Sequence, residues 1–145
     1  MASSRKKLAA DAWGALLRAQ AEVLPVLDRE MRISAGIPLG WYDVLLELQA
    51  AQERRLTMSQ LGERAVLSRT RVSRVVDDLV RAGFVMREPN PADARSAFAV
   101  LTETGHARFR QAAPIYLAGI EREFAARLSD ADLRQLATTL GRVRG

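Results

Sequence analysis

The chain has 145 residues, 48% of them hydrophobic and 27% charged, with a formal net charge of +5. That length fits one domain with a substantial core, and the composition excludes a disordered chain; no apolar run approaches the roughly 20 residues that span a bilayer. Cysteine is absent, which excludes disulfides, thiol redox sensing and Cys-based metal sites.

The charge is unevenly placed. Residues 34–53 carry three acids and no base, whereas residues 54–95 carry nine arginines against five acids. A localised basic stretch is the electrostatic footprint of a polyanion partner. Near the N-terminus Asp11, Arg18 and Glu22 interrupt any apolar stretch of signal-peptide type, so a cytoplasmic location is the expectation.

Residues 8–33 read as a long helix, with Leu8, Trp13, Leu16, Leu17, Leu24, Leu27 and Met31 at spacings that keep one face apolar. Pro25 predicts a kink there. This face is larger than a small neighbouring domain needs, so part of it is available to a second subunit. Ser34–Gly40 is a turn segment, and Trp41–Gln52 is the next helix, turning Tyr42, Val44, Leu45 and Leu48 inward. Leu56-Thr57 has room for a very short strand. A short helix over 58–65 follows, capped by Thr57 or Ser59.

The stretch Leu67–Ala82 carries the strongest pattern. Ser68 is placed to cap a helix and Gly83 to stop it. Val72, Val75, Val76 and Leu79 form one apolar stripe. Arg69, Thr70, Arg71, Ser73 and Arg74 crowd the opening turns, and cations there oppose the helix dipole. Two readings fit: a solvated charged face, or a helix whose N-terminal end meets a polyanion. With the short helix before it, the segment makes a helix-turn-helix, whose second helix presents its N-terminal residues to base edges.

After Gly83 the period changes. Residues 84–88 and 96–101 read as strands, joined by the turn-rich segment Pro89-Asn90-Pro91-Ala92-Asp93-Ala94-Arg95. A hairpin directly after the recognition helix makes a winged helix. Thr102 caps a helix that runs to about 128, with Pro114 predicting a bend, and Ser129 caps a last helix with Leu133, Leu136, Leu140 and Val143 on one face.

These residues resemble the MarR family of bacterial transcriptional regulators across nearly the whole chain. The resemblance is carried by Trp41-Tyr42-Asp43-Val44-Leu45, by Leu67-Ser68-Arg69 through Gly83-Phe84-Val85, and most specifically by Asp93-Ala94-Arg95 followed by Val100-Leu101-Thr102-Glu103-Thr104-Gly105. The fold implied is mainly α with a small β-hairpin wing, a winged helix-turn-helix lobe plus a helical dimerisation region from both termini. The expected division is an N-terminal dimerisation helix over 1–33, a DNA-binding lobe over 34–102 and C-terminal dimerisation helices over 103–145. The function implied is sequence-specific binding of double-stranded DNA by a homodimer on a pseudo-palindromic operator, as a repressor relieved by a small aromatic or phenolic effector.

On that likeness Arg95 enters the minor groove, where a narrow A·T tract concentrates negative potential. Asp93 is expected to support Arg95 through a bidentate pair; the other reading is a surface ion pair of little worth. Ser68, Arg69, Thr70, Arg71, Ser73 and Arg74 divide base reading from phosphate holding. Arg71 and Thr70 are the expected base readers, because they follow the cap and point outward. Arg54, Arg55 and Ser59 are weaker phosphate candidates, with solvated surface as the alternative. Trp13, Trp41 and Tyr42, with Arg18 as a carboxylate partner, are candidates for an effector pocket; core packing is the alternative. His106 is the sole histidine and makes a poor metal site. No cofactor motif or catalytic constellation is present, so neither a cofactor nor an enzyme is expected. The rival is a winged helix that binds an acidic protein partner.

Overall fold

The computed structural model describes the backbone of residues 2–144 and the side chains of residues 4–144. In chain order it contains α1 (Ala2–Glu30), a π-helical turn (Met31–Ala35), α2 (Leu39–Ala50), β1 (Arg55–Thr57), α3 (Met58–Arg64), α4 (Arg69–Arg81), β2 (Val85–Glu88), β3 (Phe98–Leu101), α5 (Glu103–Glu123) and α6 (Asp130–Gly141). The chain divides into two compact units. Met31–Ile115 forms a lobe, and the segment up to Glu30 with the segment from Tyr116 onward forms a helical unit. The change of unit therefore falls within α5, near Pro114, rather than at residue 103.

Both interior prolines stand within helices that continue past them, Pro25 in α1 and Pro114 in α5. Proline keeps a helical φ but forfeits one N–H bond and crowds the carbonyl four residues back, at a cost of about 3 kcal/mol. A π turn at Met31–Ala35 follows α1, before Gly36 takes a φ of 73°. In the helical unit α1 and α5 pack closely. A Cβ on Gly119 would lie 2.8 Å from Leu27 Cδ2, and Arg122 pairs with Glu30. No helix among the described residues is long and apolar enough to cross a membrane.

The lobe is organised by a three-stranded antiparallel sheet in the order β1-β3-β2, with Leu56 opposite Ala99 and Val85 opposite Leu101. The expected strands thus form, shortened to 85–88 and 98–101. Its core is the apolar stripe of α4 (Val72, Val75, Val76, Leu79) set against Val44, Leu45 and Leu48 of α2, Leu61 of α3 and the inward residues of the sheet, all buried. At 25 cal/mol per Å2, each such side chain contributes about 1.5–3 kcal/mol of hydrophobic stabilisation. Tyr42 is buried too, its ring stacked on Phe109 at 5.2 Å.

A knot of hydrogen bonds ties the exit of α4 to the start of α5. Gly83, with φ 81°, ends the helix and leaves its carbonyl to accept the Thr102 hydroxyl at 2.7 Å. The Phe84 carbonyl accepts the Thr102 N–H at 3.0 Å, and Thr102 Oγ1 in turn accepts the Gly105 N–H at 3.0 Å, capping α5. Gly105 is obligatory, because a Cβ there would lie 2.0 Å from the Phe84 oxygen.

Candidate nucleic-acid interface

The helix-turn-helix forms as its caps dictate. Thr57 closes α3 with a reciprocal capping box, its Oγ1 accepting the Gln60 N–H at 3.1 Å while Gln60 Oε1 accepts the Thr57 N–H at 2.9 Å. Ser68 caps α4, its Oγ accepting the Arg71 N–H at 3.3 Å. Between the two helices lies Val66, fully presented at 83% exposure.

The buried stripe of α4 leaves the opposite face outward. Ser68, Arg69, Thr70, Arg71, Ser73 and Arg74 are all exposed. They differ in what their side chains do. The stem of Arg69 lies along α3, with Cγ 3.2 Å from the position of a Cβ on Gly62. Arg71 lies back toward the start of α2, with Nη2 3.8 Å from the position of a Cβ on Gly40. Among the described residues, none of the three arginine side chains makes a hydrogen bond or ion pair, and Arg74 has no close approach to a glycine of a neighbouring helix. Thr70, Arg71 and Arg74 are thus all exposed on the outer face, with the Arg71 guanidinium lying near Gly40.

The wing carries Arg95 at its tip with 97% of the side chain exposed. The expected guanidinium–carboxylate fork does not form, because Asp93 is occupied with the backbone. Its Oδ1 accepts the Arg95 N–H at 3.0 Å, whereas Arg95 Nε stands 3.9 Å away. Asn90 makes the matching turn, its Oδ1 accepting the Ala92 N–H at 3.0 Å. Asp93 thus shapes the tip and leaves the guanidinium projecting.

One ion pair here was not anticipated, and two phosphate candidates are paired within the lobe. Arg87 on β2 pairs with Asp77 on α4 and pins the wing to the recognition helix. Their separation of ten positions gives no local signal, although an acid between the apolar positions Val76 and Leu79 is a hint. Arg54 and Arg55 are engaged within the lobe. Arg54 reaches Glu103 at 3.2 Å, and Arg55 pairs with Glu53 and Glu88 and lies 4.5 Å over the Phe98 ring. Ser59 stays exposed in the first turn of α3.

The four residues expected at an effector pocket fall in different units. Trp13, 61% exposed, and Arg18 lie on α1 in the helical unit. In the lobe, Trp41 meets Phe84 edge-on at 6.1 Å and Tyr42 is core. A depression of about 260 Å3 in the helical unit is lined instead by Glu22, Val23, Arg122, Glu123, Phe124, Ala126 and Arg127. His106 is half-buried on α5, and no metal-binding cluster occurs among the described residues.

A MarR family model matches residues 35–96, the span of the helix-turn-helix and most of the wing. The structure of Sco3205 from Streptomyces coelicolor, a MarR family transcriptional regulator solved in complex with DNA, superposes with a TM-score of 0.84 at 31% identity, covering 92% of this chain and 83% of that one. The chain belongs to the MarR family. The family and these relatives are transcriptional regulators rather than enzymes. Among curated MarR-like relatives, the uncharacterized HTH-type transcriptional regulator YkoM of Bacillus subtilis is 37% identical over 83 residues, 57% of this chain and 53% of that protein. The HTH-type transcriptional repressor YetL of the same organism is 32% identical over 79 residues, 54% of this chain and 47% of that one. The matched segment is thus about half the length of each curated relative.

Proposed function

We propose that the protein is a sequence-specific, double-stranded DNA-binding transcriptional regulator, acting as a homodimer and repressing until a small aromatic or phenolic effector is bound. One observation carries the reading. The recognition helix turns its buried stripe into the lobe and presents Thr70, Ser73 and Arg74 outward, and the same lobe projects Arg95 from a wing pinned to that helix by Arg87–Asp77. A helix so placed reads the major groove while the wing arginine serves the minor groove. The DNA-bound state of Sco3205 supports the assignment, and the YetL likeness supports repression.

Dimerisation is supported by the apolar side chains that the helical unit leaves exposed, among them Trp13, Leu17, Leu24, Leu117, Leu136 and Val143. Two recognition helices about 34 Å apart would meet successive turns of one face of B-DNA. An effector with a different affinity for another spacing would release the operator.

The test is selection of bound duplexes from a random pool, followed by titration of the chosen site with Arg95→Ala and with phenolic ligands. Arg95→Ala is expected to weaken binding about tenfold without loss of fold, as removal of one minor-groove contact should. Equal affinity removes the wing from the reading. Unchanged affinity with every ligand removes the effector.

A further inference from the structure

Alternation along a strand sorts the side chains of the sheet onto two faces. Leu56, Ala99, Val85 and Leu101 turn into the core. Arg55, Phe98 and Glu88 fall on the other face, because Thr57 stands opposite Phe98, Phe98 stands opposite Glu88, and Arg55 is two positions from Thr57. Glu88 is also the last residue of β2 and Phe98 the first of β3. These two are the roots of the wing, and the residues between them are its tip.

The Arg55 side chain holds both roots. From the edge strand β1 it crosses the middle strand, its guanidinium carbon 4.5 Å from the centre of the Phe98 ring, and Nη1 approaches Glu88 Oε2 on the far strand at 3.6 Å. Glu53 Oε2 steadies Nη2 from the β1 side at 3.1 Å. Taken singly, such half-exposed contacts are weak. Their placement matters more than their strength, since one guanidinium spans the two strand ends from which the tip springs. The core face of the sheet has its own tie, Arg87 to Asp77 of α4, so the wing is latched on both faces.

Beyond the roots the tip is folded on itself. The Asp93 N–H donates to the Asn90 carbonyl at 3.2 Å and the Ser96 N–H to the Asp93 carbonyl at 3.1 Å, beside the turns made by the Asn90 and Asp93 side chains. A tip closed by its own bonds moves as one piece. The direction of Arg95 is then set where the tip joins β2 and β3.

We propose that Arg55 is a positioning residue for DNA binding: by clamping Glu88 and Phe98 it fixes the angle at which the wing presents Arg95 to the duplex. The inference rests on the DNA-binding reading and deepens it at the wing. It gives Arg55 a role other than holding a phosphate, and the two roles have opposite signs at Glu88. With the clamp, Glu88→Gln weakens binding even though it removes a negative charge. With a phosphate contact, Glu88→Gln would free the guanidinium and tighten binding.

Affinity of the full chain for its selected duplex is measured for wild type, Arg55→Gln, Glu88→Gln, Arg95→Ala and the two double variants that combine a root substitution with Arg95→Ala. Urea unfolding verifies that each is folded. Arg55→Gln and Glu88→Gln should each weaken binding about three- to tenfold, and no more than Arg95→Ala does. In the Arg95→Ala background neither should have a further effect, because changes that act through one contact do not add. In the DNA-free protein, backbone NMR relaxation should show a looser tip over residues 89–97 in both root variants, with α4 unchanged. The proposal is overturned if Glu88→Gln leaves affinity unchanged or tightens it, if either effect persists without Arg95, or if the tip is no looser. An Arg95→Ala variant that binds like wild type overturns it too, while leaving recognition by α4 in place. A wild type that ignores every duplex, with both root variants still loosening the tip, sinks the DNA reading while the clamp stands.

Discussion

Asp43 occupies a helix that otherwise turns Tyr42, Val44, Leu45 and Leu48 into the core, and its charge is costly there. The ordinary carboxylate value of 3.8 becomes about 6 in the folded lobe, so between those values the native state holds a proton that the unfolded chain has lost. Stability must then fall as pH rises from about 4 to 6, and the penalty is fully present above that window. Asp43→Asn removes the charge while preserving shape. The scale of 1.36 kcal/mol per unit gives about 3 kcal/mol, which solvent screening at a partly exposed carboxyl lowers to about 1–2 kcal/mol of added stability at pH 7.5, with no gain at pH 4. Urea unfolding at the two pH values checks this; equal effects at both would mean that the carboxyl is not perturbed. Arg71 shows why single residues were harder to read than patterns. Its position after the cap implied an outward side chain, and the residue is exposed, but no local pattern foretold that its guanidinium would lie near Gly40, 31 positions away in the chain.

At the scale of elements the sequence was far more legible, because caps and periodicity are local. Thr57, Ser68, Thr102 and Ser129 cap α3, α4, α5 and α6 from the positions their neighbours implied. Ser68→Ala should cost about 1 kcal/mol through the lost cap bond, read as a lower urea midpoint with unchanged slope. It should also weaken duplex binding, since the first turn of α4 carries the residues proposed to read the duplex. No change in midpoint would show that the first turn holds without its cap. The wing was legible as two strands and a turn-rich tip, but the bidentate Asp93–Arg95 pair was not realised. An Asp two residues before an N–H reaches that N–H more easily than a guanidinium on a long stem, a preference visible in turn chemistry.

For the whole molecule, the formal charge of +5 and the concentration of arginines over residues 54–95 tie binding to counterion release. If six to ten phosphates are engaged, affinity should fall by about 10^3 to 10^5 between 50 and 200 mM salt. A shallow slope would favour an acidic protein partner instead. The exposed apolar side chains of the helical unit set the second expectation. Leu117 is 62% exposed, and Leu117→Glu should raise the dimer dissociation constant about tenfold or more by burying an unpaired charge. Analytical ultracentrifugation at micromolar concentration checks this. A wild type that sediments as a single chain would remove the dimer from the proposed mechanism.

The contact between Gly105 and the Phe84 carbonyl has an evolutionary corollary. Where a hydrogen is the largest substituent tolerated, the mount of the recognition helix has no slack to drift, and the Thr102 bonds hold it from the other side. On the proposed reading, a new operator preference would be reached by exchanging the outward letters of α4, one position at a time, on a frame that does not have to be rebuilt.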